Sequence, residues 1–197
     1  KAAHSSLTLQ GCNAIEHAAR LICHIRDLAD AWRAQGPFDA AFDVPHSTIT
    51  TNLIAGGIAI NTVPDACSLS YDFRHLPGHD ASGIQAQVQR YVDDELLPRM
   101  RREYAGARVD IECGAAVPTL DASEQAAITQ LVRALTQDQG VRKVAYGTEA
   151  GQFAQAGIPA ILCGPGSIEQ AHKPDEYVEH AQLALCDRFL RQVLATL

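Results

Sequence analysis

The stretch Cys67-Ser68-Leu69-Ser70-Tyr71-Asp72-Phe73-Arg74 alternates apolar and polar side chains along its whole length, the two-residue period of a strand with one buried face. Upstream, Ile49, Thr51 and Leu53 alternate in the same way, and Gly56-Gly57 breaks the chain between the two runs. The two are therefore expected to be antiparallel neighbours. Further out, Asn13 after Gly11 is a plausible helix cap, and Ile15, Ala18, Ile22, Ile25, Ala29 and Trp32 recur every three or four residues until Gly36-Pro37 stops the helix. On the other side, residues 80–82 offer caps for a second helix with Ile84, Val88, Tyr91, Val92 and Leu96 on one face, and Val109, Ile111 and Cys113 then alternate. With a strand at residues 4–7 the order is βαββαβ. That is the ferredoxin-like arrangement, in which both helices cover one face of an antiparallel sheet.

This pattern ends near Gly114, so residues 1–114 are expected to form one domain and residues 115–197 a second segment. After Val117-Pro118 helical and short apolar patterns alternate. A helix starts near Ser123 and carries Ile128, Leu131, Val132 and Leu135; residues 141–145 and 158–163 read as strands. A last amphipathic helix bears Leu183, Cys186, Leu190, Val193 and Leu197. These strands are too few for an independent sheet, so the segment reads as the return half of a larger α/β domain. The fold class is α/β (α+β).

The 197 residues are 47% hydrophobic and 20% charged, an ordinary globular composition. Acidic residues outnumber basic ones 23 to 16, for a net charge of −7, which argues against gripping a nucleic-acid backbone. Arg99, Arg101 and Arg102 form a small basic knot that reads as a solvated helix end. The longest uncharged stretch is interrupted by Asn52, Gly56, Gly57 and Asn61 and is too polar for a membrane span. Six cysteines without a C-x-x-C spacing fit reduced thiols in a cytoplasm. The chain opens Lys1-Ala2-Ala3-His4 with no leader pattern and reads as a piece of something longer.

Two Gly-rich loops concentrate the chemically useful residues: Tyr146-Gly147-Thr148-Glu149-Ala150-Gly151, and Gly164-Pro165-Gly166-Ser167-Ile168-Glu169-Gln170-Ala171-His172-Lys173-Pro174-Asp175-Glu176-Tyr177. Loops at the strand ends of α/β sheets are where ligands bind. His172 is a reasonable metal ligand with Asp175 or Glu176 to orient its ring, but the residues alone favour a structural or surface histidine, because no second ligand stands at a standard spacing from it. His4 beside Ser5 and Ser6 makes no serine-hydrolase triad. Asn61 reads as a turn residue before Pro64, and Arg74 as either a surface ion pair or a carboxylate clamp.

Taken together, these residues resemble the dinuclear zinc amidohydrolases related to aminoacylase and carboxypeptidase G. The match rests on His4-Ser5-Ser6, Gly11-Cys12-Asn13-Ala14-Ile15-Glu16, Asn61-Thr62-Val63-Pro64-Asp65-Ala66-Cys67, Tyr71-Asp72-Phe73-Arg74 and the two Gly-rich loops. Arg74-His75-Leu76-Pro77 and the Gly-Ser-Ile-Glu-Gln-Ala-His-Lys-Pro string are most similar to the acetylornithine deacetylase branch, more than to the succinyl-diaminopimelate desuccinylases.

The resemblance implies a lid, or dimerisation, domain followed by the carboxy-terminal part of a zinc-hydrolase catalytic domain. It also implies removal of the acetyl group from N-acetylornithine, an N-acylamino acid substrate, two zinc (or cobalt) ions and a homodimer formed through the lid. By residue it implies His172 as a zinc ligand, His4 as the lid histidine that stabilises the oxyanion, Asn61 and Arg74 as holders of the substrate's polar end, and Gly147, Thr148 and Glu149 as a substrate-pocket loop. The family's amino-terminal metal motifs are not found in these residues, so the 197-residue chain alone is expected neither to hold two zinc ions tightly nor to hydrolyse amides. Two other readings are a related hydrolase with a different acyl group or amino acid, and a non-catalytic dimerisation module.

Overall fold

In the computed structural model, which describes residues 1–196, helix α1 (Ala14–Gln35) starts where Asn13 accepts the backbone N–H groups of Ile15 and Glu16. It ends at Gly36, whose φ of 77° lies in the left-handed region that favours glycine. Both boundaries follow the expectation. The buried stripe follows it in part: Ile25 and Trp32 are buried with Ala29 packed beside them, but the stripe also takes in His17 and Leu21, and Ile15 is exposed. The shift arises because position 17 is occupied by a polar residue type, which hydrophobic periodicity passes over.

Strand β1 (Ala3–His4) pairs antiparallel with β3 (Thr62–Val63), and β2 (Thr48–Gly56) pairs antiparallel with β4 (Cys67–Arg74). In β4 the expected alternation is seen, with Cys67, Leu69, Tyr71 and Phe73 on the half-buried face. A bulge lies between Thr51 and Leu53, so Thr51 stands opposite Tyr71 but Leu53 stands opposite Ser70 on the outer face. Leu53, expected to continue the inward alternation, is instead 69% exposed.

Helix α2 (Ala81–Tyr91) is capped by the Asp80 carboxylate, which accepts from the backbone of Ser82 and Gly83. A π turn over Val92–Leu96 carries it into α3 (Leu97–Glu103). Ile84, Val88, Val92, Leu96 and Met100 are all buried, a strict four-residue repeat. On an α-helix of 3.6 residues per turn that repeat drifts by about 40° at each step. The wider π turn takes up the drift and keeps the five side chains on one face. They meet Cys12, Leu21, Ile25, Trp32 and Ile49 in one core, with Val109 and Ile111 packed against it.

These elements, together with Arg142–Gly147, form the first of two compact units, Lys1–Ala116 being its main part. The second unit comprises Val117–Val141 and the chain from residue 148 onward, with helices α4 (Ala127–Thr136), α5 (Ala150–Gln155) and α6 (His180–Thr196). Among its described residues only Thr129 and Gly151 are buried. The class is α/β, but several expected strands are absent from the described residues. Residues 109–113 pack on the core without a ladder, residues 141–145 make a single bridge from Lys143 to Phe42, and residues 158–163 are unpaired, with Ile158 and Leu162 exposed. A strand needs a neighbour for its backbone groups, and no described strand lies alongside residues 158–163. Helix α4 begins four residues later than Ser123, whose hydroxyl accepts the Gln125 N–H ahead of the helix. Leu197, expected on the last helix, lies outside the described residues. No described helix is long and apolar enough to cross a membrane.

Two half-buried histidines beside this core have their pKa pushed below the ordinary histidine value. Ser47, buried, accepts the Leu76 N–H at 3.1 Å and shares a 2.7 Å hydrogen bond with His79 Nδ1, while His79 stands edge-on to Trp32. Burial, then His75, push the His79 pKa down against the pull of Asp80. His24 stacks on Tyr91, and its pKa is lowered by burial against Asp27. Groups depressed in the folded state stabilise it above their unfolded pKa, and that stability is lost as pH falls through the folded value. Denaturant unfolding of the first unit should therefore show stability falling as pH drops below about 6.5, the ordinary histidine value, and His24→Gln with His79→Gln should flatten that slope. Truncating Ile84, which has no exposed surface, to Ala should cost about 2 to 5 kcal/mol in the same assay.

Candidate functional site

Gly11 allows α1 to begin directly over the β1–β3 pair: a Cβ there would lie 2.9 Å from Val63 Cγ1 and 3.2 Å from the Ala3 Cβ. The close approach positions the first candidate residues. His4, exposed, pairs with Thr62, and the Ser5 N–H donates to the Asn61 carbonyl at 2.9 Å, so the fold brings His4 and Asn61 to one corner. The Ser6 backbone N–H donates to His4 Nδ1 at 3.2 Å, and the Ser6 hydroxyl lies 2.8 Å from the same nitrogen. Because a backbone N–H only donates, Nδ1 is the accepting nitrogen, and a neutral His4 carries its proton on Nε2. This leaves an exposed N–H donor in a fixed orientation.

Arg74 is not part of that corner. It ends β4 opposite Thr48, at the other end of the strand from Cys67, and its Nε donates to Asp72 Oδ1 at 2.8 Å. Both side chains are about half exposed, so the pair contributes at most about 1 kcal/mol. Near the His4 corner, a groove of about 450 Å³ is lined by Ala55, Gly56, Ile58, Thr62, Pro64 and Cys67, among others.

Gly147 closes the first unit; Thr148 and Glu149 open the later part of the second. The Thr148 Oγ1 accepts the Ala150 N–H, and Glu149, exposed, sits at the start of α5 without capping it by its side chain. Gly151 is required by packing, since a Cβ at that position would lie 1.9 Å from the Pro118 carbonyl oxygen. His172 lies in the loop after a 3-10 turn over Ile168–Gln170, itself capped by Ser167. It is exposed and has φ 59°, a conformation uncommon outside glycine. Its backbone N–H donates to Glu176 Oε2 at 3.0 Å. Glu176 thus shapes the loop and does not orient the ring as expected, because the left-handed backbone turns the N–H toward that carboxylate.

Among the described residues, the one group of three potential ligands is Cys12, His17 and Glu103, and His172 is not in it. The residues around His172 therefore do not by themselves fit a two-metal centre. Periodicity missed His17; the signal was there in its spacing from Leu21 and Ile25, one residue every four along the helix.

Comparison with known proteins adds to this geometry. The family described as a peptidase dimerisation domain matches residues 1–100. The chain is 34% identical over 179 residues to an acetylornithine deacetylase of Pasteurella multocida, covering 90% of this chain and 44% of that protein. It is 35% identical to the acetylornithine deacetylase of Salmonella arizonae, with 89% and 44% covered. It thus spans less than half the length of these relatives. A tripeptidase from Staphylococcus aureus superposes with a TM-score of 0.69 at 20% identity, over 98% of this chain and 48% of that one. The aminopeptidase PepT of Bacillus cereus gives 0.61 at 21% identity, over 96% and 47%. At these identities the two structures establish the fold.

Substituting Gly151 by Ala should displace the loop from residue 147 to 151 and cost about 3 kcal/mol or more. Hydrogen exchange should show faster opening of α5 with the core of α1 and α2 unchanged.

Proposed function

We propose, on the premise that this chain belongs to the M20-type peptidase dimerisation family, that it serves a cytoplasmic hydrolase that removes the acetyl group from N-acetylornithine. The hydrolase class follows from the family and the deacetylase relatives; the substrate is our reading of the likeness to those relatives. The single observation that carries the site assignment is the His4–Ser6–Asn61 corner. An exposed Nε2–H with its tautomer set by the Ser6 backbone is suited to donate to the oxyanion that forms when water adds to an amide carbonyl, and such a donor is typically worth about 10²- to 10³-fold in rate. Asn61 and Arg74 are assigned to the substrate's polar end, with Gly147, Thr148 and Glu149 as a pocket loop. His172 is assigned as a zinc ligand; two zinc ions would supply activated water and polarise the carbonyl. The described residues offer His172 no partner ligands, so a tight two-ion centre is not a property of these residues alone.

The same premise supports a homodimer. One edge of β2 pairs with β4, and among the described residues its other edge pairs with no strand, beside the exposed Leu53 and Ile54. An unpaired edge of nine residues is a template for a second copy, related by a two-fold axis so that each β2 completes the other.

Two experiments test these assignments. In the natural polypeptide that carries these residues, His4→Ala should lower kcat for N-acetylornithine about 10²-fold or more with metal content unchanged. Equal losses of both would point to a folding defect, and turnover that prefers a succinylated or glutamyl substrate would reassign the branch. In sedimentation velocity the 197-residue chain should run as a dimer, and Leu53→Lys with Ile54→Lys should shift it to monomer; a wild-type monomer at high concentration would remove the dimer reading.

A further inference from the structure

We propose that Cys12, His17 and Glu103 form a binding site for one divalent cation of the zinc type, which pins the start of α1 to the end of α3. The three come from different places: the loop before α1, its first turn, and the last residue of α3. One ligand atom from each lies within 4.8 Å of the others. The His17 Nε2 is 3.1 Å from Glu103 Oε2, close to the roughly 3.3 Å edge of a tetrahedron with nitrogen and oxygen ligands about 2.0 Å from zinc.

The donor set selects the ion. A thiolate with an imidazole favours zinc-like metals over calcium or magnesium, which prefer all-oxygen shells. Thiolate and carboxylate together cancel a charge of +2, so the loaded site is neutral where it is most buried. Cys12 is 3% and His17 5% exposed, whereas the Glu103 side chain is 48% exposed. The carboxylate therefore marks an open side, through which an ion can enter and a water can complete the coordination.

The His17 ring is oriented by Glu103, with Nε2 as the nitrogen that would ligate the ion. A carboxylate can only accept, so the contact with Glu103 puts a proton on Nε2, and in the neutral ring Nδ1 is then a buried lone pair. It has no hydrogen-bond partner. Burial of such a group without a partner costs free energy, and a hydrophobic residue would fit the stripe of Leu21 and Ile25 without that cost. Without metal, the Cys12 thiol stays protonated, since burial and then Glu103 raise its pKa, and its Sγ lies 3.8 Å from the Met100 carbonyl. Binding therefore replaces the thiol proton with the cation, releases one proton per ion, and moves the imidazole proton to Nδ1. No redox change is involved. This site lies in the first unit and is independent of the hydrolase assignment and of His172.

The test is titration of the reduced, chelator-stripped 197-residue chain with Co²⁺ alone, read by the thiolate-to-cobalt absorption in the near ultraviolet, followed by displacement with Zn²⁺. One equivalent of Co²⁺ with a thiolate band, displaced by Zn²⁺ with a rise in Tm, is the expected result. Glu103→Gln, a change at a half-exposed side chain, should weaken binding at least about tenfold and remove most of the Tm rise. Cys12→Ala should abolish the band, and His172→Ala should leave band and affinity unchanged. Absence of a band at millimolar Co²⁺, a band retained in Cys12→Ala, unaltered affinity in Glu103→Gln, or loss in His172→Ala would each overturn the proposal. If Cys12→Ala does not fold, Glu103→Gln and His172→Ala decide between these outcomes.

Discussion

A two-stranded ribbon is marginal in water until one of its faces is covered, and that requirement organises this protein. The β2–β4 pair offers Ile49, Leu69, Tyr71 and Phe73 on one side, and α1 and α2 bring Ile25, Trp32, Ile84 and Val88 onto the same core. Once α1 is held there, its entry loop has to cross the β1–β3 pair, which Gly11 allows by close backbone approach. The corner that joins His4 to Asn61 is thus a consequence of the core, reached through one glycine. The π turn serves the same core from the other helix, since it keeps Val92 and Leu96 in line with Ile84 and Val88.

Burial is distributed unevenly. The first unit holds nearly all of the buried apolar side chains, whereas α6 has no buried residue and exposes Leu190 and Leu194. Amphipathic helices draw most of their stability from tertiary packing, so the two units differ in how much of their fold they secure internally. The proposed chemistry divides along the same line. His4, Asn61 and Arg74, proposed as oxyanion donor and substrate holders, are set by a packed scaffold; His172 is set by its own loop, through Glu176, Ser167 and a left-handed backbone.

Much of the fold was legible because local chemistry and tertiary packing agreed. Asn13, Gly36 and Asp80 mark helix ends by hydrogen bonds or backbone freedom that depend on a few neighbouring residues. The alternation of β4 and the stripe of α2 are legible because burial in each selects one face at a fixed period. Where the readings diverged, a non-local term decided. Leu53 left the inner face through a bulge that only strand pairing defines, and residues 158–163 have a strand-like sequence without a described neighbour to pair with.

By itself, then, the sequence determined the class of the fold, both ends of α1, the start of α2, the β4 partner and the family likeness, since each is written in short-range periodicity, capping chemistry or contiguous motif. Tertiary structure alone decided that His17 meets Glu103 from across the chain with Cys12 beside them, and that Ser6 sets the tautomer of His4. Those facts depend on which distant segments are brought within a few ångströms, and a one-dimensional pattern carries no such distance.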